Sequence, residues 1–174
     1  LNMNNLVLKV AIFSIAFAFV ESSVVVYLRH LLGASQPTIN KDEVLLLLPG
    51  IAFLEPKTAF NIIANSRLLN VEMVREAATL IMLASVAWLS AKNIKTAIAF
   101  FFLAFGIWDI FYYVFLKTTI NWPKSLFDLD TFFLLPVPWI GPVFVPILIS
   151  SVMVFLSLIY LKRENSKYKS RKLD

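Results

Sequence analysis

Four carboxylates and one arginine interrupt otherwise apolar stretches of this chain: Glu21, Glu72, Glu76, Asp109 and Arg75. Ionisable groups inside membrane segments usually face the bundle interior and serve a function, because lipid does not solvate them. Glu72 and Glu76 are i,i+4 and share a helix face, with Arg75 between them in "VREAATLIM". Asp109, in "GIWDIFYYVFLK", shares its face with Tyr112 and Tyr113. One chemistry open to the set is cation or proton handling by Glu21, Glu76 and Asp109, with Arg75 orienting an anionic group. The structural alternatives are an Arg75–Glu72 or Arg75–Glu76 pair at a helix entrance, a hydrogen bond from Glu21 through Ser22 or Ser23, and an Asp109 bond to a tyrosine or to Arg75. A metal could draw on Glu21, His30, Glu76 and Asp109, but His30 is the single histidine, and a second imidazole is missing.

Composition says what must position these residues. Of 174 residues, 59% are hydrophobic and only 16% charged, with 16 Phe, which favours lipid as the solvent for this chain. Four stretches are long enough to span: Val10–Leu28, Val71–Ala91, Thr96–Leu116 and, within the uncharged 31-residue run Thr131–Leu161, the part from Val143 onward. Pro136, Pro138, Pro142 and Pro146 interrupt the first half of that run, so regular helix is expected only from about Val143. "TFFLLPVPWIGP" is then a bent interfacial or re-entrant segment, tolerated against protein or a polar cavity. Trp122 and Trp139 suit the headgroup level. "EVLLLLPGIAFLEP" is too short to span and reads the same way. "KTAFNIIANSRLLN" reads as a surface helix leading into the second span. The first span also has features of a signal peptide, Lys9 and the small-x-small "AFA" at Ala16–Ala18, but its apolar run continues through "VVVYL".

The expected fold is an all-α integral membrane protein: a bundle of four transmembrane helices with interfacial or re-entrant outer-side segments. Residues 1–162 form one bundle domain and 163–174 a basic cytoplasmic tail. Nine Lys and Arg lie on the side of the termini and six on the other, so both termini are expected to be cytoplasmic, in the cell membrane. Six of the sixteen basic residues lie between Lys162 and Lys172, at and beyond the start of the tail, and suit an anionic lipid surface; no basic stripe elsewhere suggests nucleic acid. With this topology Glu21 lies about 12 Å below Arg29, Asp109 about 12 Å below Lys117, and Glu76 about 9 Å past Asn70, at 1.5 Å per residue. Three helices thus bring carboxylates to one outer-half layer.

The segments "VVVYLR", "REAATLIMLASVAWL", "WDIFYYVFLK", "NWPKSL" and "LPVPWIGPV" together resemble a group of small prokaryotic multi-pass membrane proteins. No established activity accompanies that resemblance, and it carries no catalytic assignment. The chain has no Cys, which excludes disulfides and Cys-ligated clusters, and the lone His excludes bis-His haem ligation. There is no Gly-x-Ser-x-Gly elbow, no His-based zinc motif and no midspan Lys. Two function classes remain ahead. One is a non-catalytic subunit or binding module of a membrane complex, partnered by lipid and by other subunits or a second copy. The other is a small membrane enzyme or cation/proton-handling protein using the carboxylate layer. A transporter is third, because four spans leave little room for two gates.

Overall fold

The computed structural model describes residues 3–32 and 37–170. Its frame is four long apolar helices: α1 (Met3–Leu32), α3 (Ser66–Ser90), α4 (Ile94–Ile120) and α5 (Phe144–Ser170), with the single-turn α2 (Ala59–Ile62) before α3. All four long helices are long and apolar enough to cross a membrane. The chain is therefore a multi-pass helical membrane protein, as its hydropathy predicts.

Local chemistry sets the helix ends. The Asn65 side chain accepts from the amides of Arg67 and Leu68 and starts α3, so the surface helix expected over "KTAFNIIANSRLLN" is broken at 63–65. Asn93 and Thr96 form a reciprocal capping box at the start of α4. Asn121, with φ +53°, ends α4 in the left-handed conformation, and Pro123 follows. α5 begins at Phe144, close to the expected Val143. Pro146 falls in its first turn, where an amide would have no intrahelical partner.

α4 is the most buried span and packs against α1, α3 and α5. Phe100, Leu103 and Ala104 are sealed in the central core. α4 and α5 approach closely at Gly106, where a Cβ would lie 2.7 Å from the Ser150 carbonyl oxygen. Small residues permit such backbone proximity where lipid supplies no hydrophobic drive between helices. α3 and α5 both pack on α4 but scarcely on each other.

The two segments expected as interfacial or re-entrant form an antiparallel four-stranded sheet at the end of the bundle opposite the termini. Its strands are β1 (Val44–Leu48), β2 (Ile51–Leu54), β3 (Leu129–Phe133) and β4 (Trp139–Pro142), in the order β1-β2-β4-β3. β2 and β4 join the segments through Ala52↔Ile140 and Phe53↔Trp139. The β1–β2 turn uses Gly50 at φ +83°, packed against Val145 of α5. The β3–β4 connection dips into the bundle. Phe133 stacks on Phe105 of α4, with ring centroids 6.3 Å apart, about 18 Å along that helix from Lys117. The tip packs into the bundle as a bent segment, and the strands beside it are what sequence reasoning did not supply.

Candidate functional site: a polar cavity between the spans and the sheet

All seven residues singled out for a polar site line one cavity of about 770 Å³: Glu21, Glu72, Arg75, Glu76, Asp109, Tyr112 and Tyr113. The sheet, α1, α3, α4 and α5 all contribute to its wall.

The first polar group centres on Arg75. Its guanidinium holds Glu72 of the same helix through two bonds, Nε to Oε2 at 2.9 Å and Nη2 to Oε1 at 2.5 Å. Its other arm is ion-paired with Glu21 of α1. Thr79 Oγ1 donates to Glu21 Oε1 at 2.9 Å, which ties α1 to α3 a second time. The expected Arg75–Glu72 pair is thus present, extended to a third member. Glu21 does not use Ser22 or Ser23, whose hydroxyls turn back to the carbonyl of Phe19.

Glu76 has a different role from the one its spacing suggested. Its carboxylate accepts from the backbone amides of Leu134, at 3.0 and 2.9 Å, and Leu135, at 3.2 Å. Those amides belong to the β3–β4 connection, outside the strand ladder. An intramembrane carboxylate therefore satisfies inserted backbone, a requirement that lipid imposes. No side-chain pattern in the sequence could have pointed to a backbone partner 58 residues away.

Asp109 faces the bundle interior, as expected, but neither a tyrosine nor the Arg75 group binds it. Ser150 Oγ of α5 donates to its Oδ2 at 2.7 Å. Its Oδ1 has no hydrogen bond among the described residues. Tyr112 stacks against Trp108 at 6.1 Å and meets Tyr113 edge-on at 5.1 Å.

A second ion pair went unread in the sequence. Asp130 of β3 accepts from Arg29 Nη2 at 3.0 Å and from the Tyr113 hydroxyl at 3.1 Å. Arg29 also lies over the Trp122 ring, 3.7 Å from its centroid. Burial pushes the Asp130 carboxyl up to about 6; Arg29, Tyr113 and the Thr131 amide pull the other way. The available signal was Asp130 standing at the edge of the uncharged run, with Arg29 closing the first span.

The metal candidates do not assemble. His30 is exposed and does not line the cavity, and among the described residues no group of three or more His, Asp or Glu is arranged to hold a metal ion. Paired carboxylates explain this: Glu21 and Glu72 turn to Arg75, Glu76 to backbone and Asp109 to Ser150. Two buried indole N–H groups, of Trp108 and Trp139, have no protein acceptor among the described residues, and both residues line the cavity.

Fold and site together define a four-span helical membrane protein with buried charged pairs around a sheet-capped cavity. Comparison with protein-family models, curated proteins and solved structures finds no match to this chain.

Proposed function

We propose that this protein is a non-catalytic binding module or subunit of a membrane complex, seated in the cell membrane with both termini cytoplasmic. The observation that carries the reading is the cavity: about 770 Å³, within the size range of small-molecule sites, with convergent polar groups and aromatic walls. The pairing of most charged side chains within the protein favours binding over catalysis. Exposed apolar faces such as Leu148, Val152 and Phe155 on α5 suit lipid or the helices of another subunit, or of a second copy. Purification from native membranes followed by mass spectrometry tests it. Stoichiometric companion chains support the subunit form, and a lone chain retaining a lipid or small molecule supports the module form. A lone chain with nothing retained refutes both. Cysteines at Ser125 and Ser166 label from opposite faces if the orientation is right, Ser166 from the cytoplasm.

A second reading, proton or cation handling, is favoured by one observation: Asp109 is 8% exposed and keeps one oxygen unpaired beside the cavity. Ion or proton flux in proteoliposomes, lost in Asp109→Asn at normal expression, is its test.

A further inference from the structure

We infer that the cavity takes an amphiphile with an ammonium head, the head beside Asp109 and the apolar body toward the gap between α3 and α5. The inference rests on the binding reading above and names its ligand class. Charge is the first argument. Six carboxylates and two guanidiniums line the cavity, and neither Lys nor His is among its lining residues. Both guanidiniums are engaged, Arg75 by Glu72 and Glu21, and Arg29 by Asp130 and the Trp122 ring. An anionic head would meet surplus carboxylates with no free cation to receive it, whereas an ammonium meets acceptors.

The second argument is the vacant oxygen of Asp109. A carboxylate this buried, with Ser150 on one oxygen only, gains most from a ligand that brings both a positive charge and N–H donors. Beside it Trp108, Tyr112 and Tyr113 form a continuous aromatic wall, whose ring faces attract an ammonium. The third argument is access. Ser150, Ile149 and Met153 of α5 and Thr79 of α3 border the cavity, and those two helices scarcely touch. An apolar chain can leave between them into lipid while its head stays at Asp109. An ethanolamine phospholipid presents its ammonium beside a phosphate; a free lipophilic amine presents the ammonium alone.

The experiment uses the full chain in dodecylmaltoside and titrates three probes of one chain length, n-octylamine, n-octanol and n-octanoate, at neutral pH. Intrinsic tryptophan fluorescence and thermal unfolding are read. Octylamine is expected to give a saturable change and to raise the unfolding temperature, and the other two are not. Asp109→Asn should weaken octylamine by about tenfold or more, the loss of one charge-assisted contact. Should that variant fail to fold, the three-probe comparison on the native protein still decides. Nanodiscs made with and without phosphatidylethanolamine separate the sources. Retention of that lipid in native mass spectrometry identifies a lipid headgroup; octylamine binding without such retention identifies a free amine. Octanol or octanoate binding as well as octylamine, or unchanged binding in folded Asp109→Asn, overturns the ammonium assignment but leaves a binding module. No saturable probe and no retained molecule overturns both.

Discussion

Gly106→Ala tests the α4–α5 contact on which Asp109 depends. The new Cβ would lie 2.7 Å from the Ser150 carbonyl oxygen and 2.8 Å from Val154 Cγ2. Comfortable contact begins near 3.4 to 3.5 Å, so α5 must withdraw by roughly 0.7 Å. The obstructing atom is backbone and cannot rotate aside. Ser150 is also the donor to Asp109, at 2.7 Å, and the same withdrawal stretches that bond to about 3.4 Å, where little of it survives. Overpacking of this kind costs about 1–3 kcal/mol. An interhelical hydrogen bond in a bilayer adds about 0.6 kcal/mol. The expected loss is therefore about 1.6–3.6 kcal/mol, read from reversible unfolding in mixed dodecylmaltoside and dodecyl sulfate. A double-mutant cycle with Ser150→Ala checks the geometry: the serine truncation should cost little once Gly106→Ala is present. An alanine variant within about 0.5 kcal/mol of the native protein, or full additivity with Ser150→Ala, would refute the close-contact account.

Arg75→Gln strands Glu21 and Glu72 together and should destabilise by about 3–5 kcal/mol in the same assay, with partial recovery on adding Glu21→Gln and Glu72→Gln. Glu76→Leu removes the acceptor of the Leu134 and Leu135 amides, so hydrogen exchange there should accelerate sharply, while Glu76→Gln, which keeps one carbonyl, should show a smaller change. For Asp130 the folded value, about 6, exceeds the ordinary 3.8. The folded state then holds a proton that the unfolded chain releases across that window. The contribution is fully present below pH about 4 and is lost as pH rises through about 6, at no more than about 1.4 kcal/mol per pH unit. Unfolding measured from pH 4 to 7 should show this component in the native protein and not in Asp130→Asn.

The spans were legible because sustained hydropathy and flanking charge are local signals, and the start of α5 because Pro136, Pro138 and Pro142 forbid regular helix before it. Convergence of Glu21, Glu76 and Asp109 on one layer followed from spacing and antiparallel topology alone, and the structure lines one cavity with these three and with Glu72, Arg75, Tyr112 and Tyr113. The sheet did not follow. "VLLLL" has no polar alternation to mark a strand, and a short apolar run does not distinguish strand from buried helix. Its closure depends on pairs such as Ala52↔Ile140, far apart in the chain. The partners of the carboxylates were equally hidden. Ser150 lies in a run with no charge to flag it, and the amides at Leu134 and Leu135 have no side-chain signature at all. Positions 171–174 of the expected basic tail lie outside the described residues, and α5 continues as helix through Ser170.

Four carboxylates against one intramembrane arginine posed a question of compensation, and the fold answers it in three chemically different ways. Arg75 neutralises Glu21 and Glu72 together. Glu76 takes backbone donors that the inserted β3–β4 tip could not otherwise satisfy, so it is structural to the cap. Asp109 alone is left half-served, by one serine hydroxyl. Removing charge should therefore have unequal consequences. At Arg75 or Glu76 it breaks the fold's own pairing, and loss of function would not be separable from loss of structure. At Asp109 an asparagine still offers Ser150 a carbonyl oxygen, so the α4–α5 bond survives and only the charge facing the cavity disappears. Asp109→Asn should thus unfold within about 1 kcal/mol of the native protein, while its response to octylamine is lost. If the variant instead falls apart, the carboxylate is also a packing element, and selectivity of the native protein for octylamine over octanol and octanoate decides whether the cavity recognises a cation.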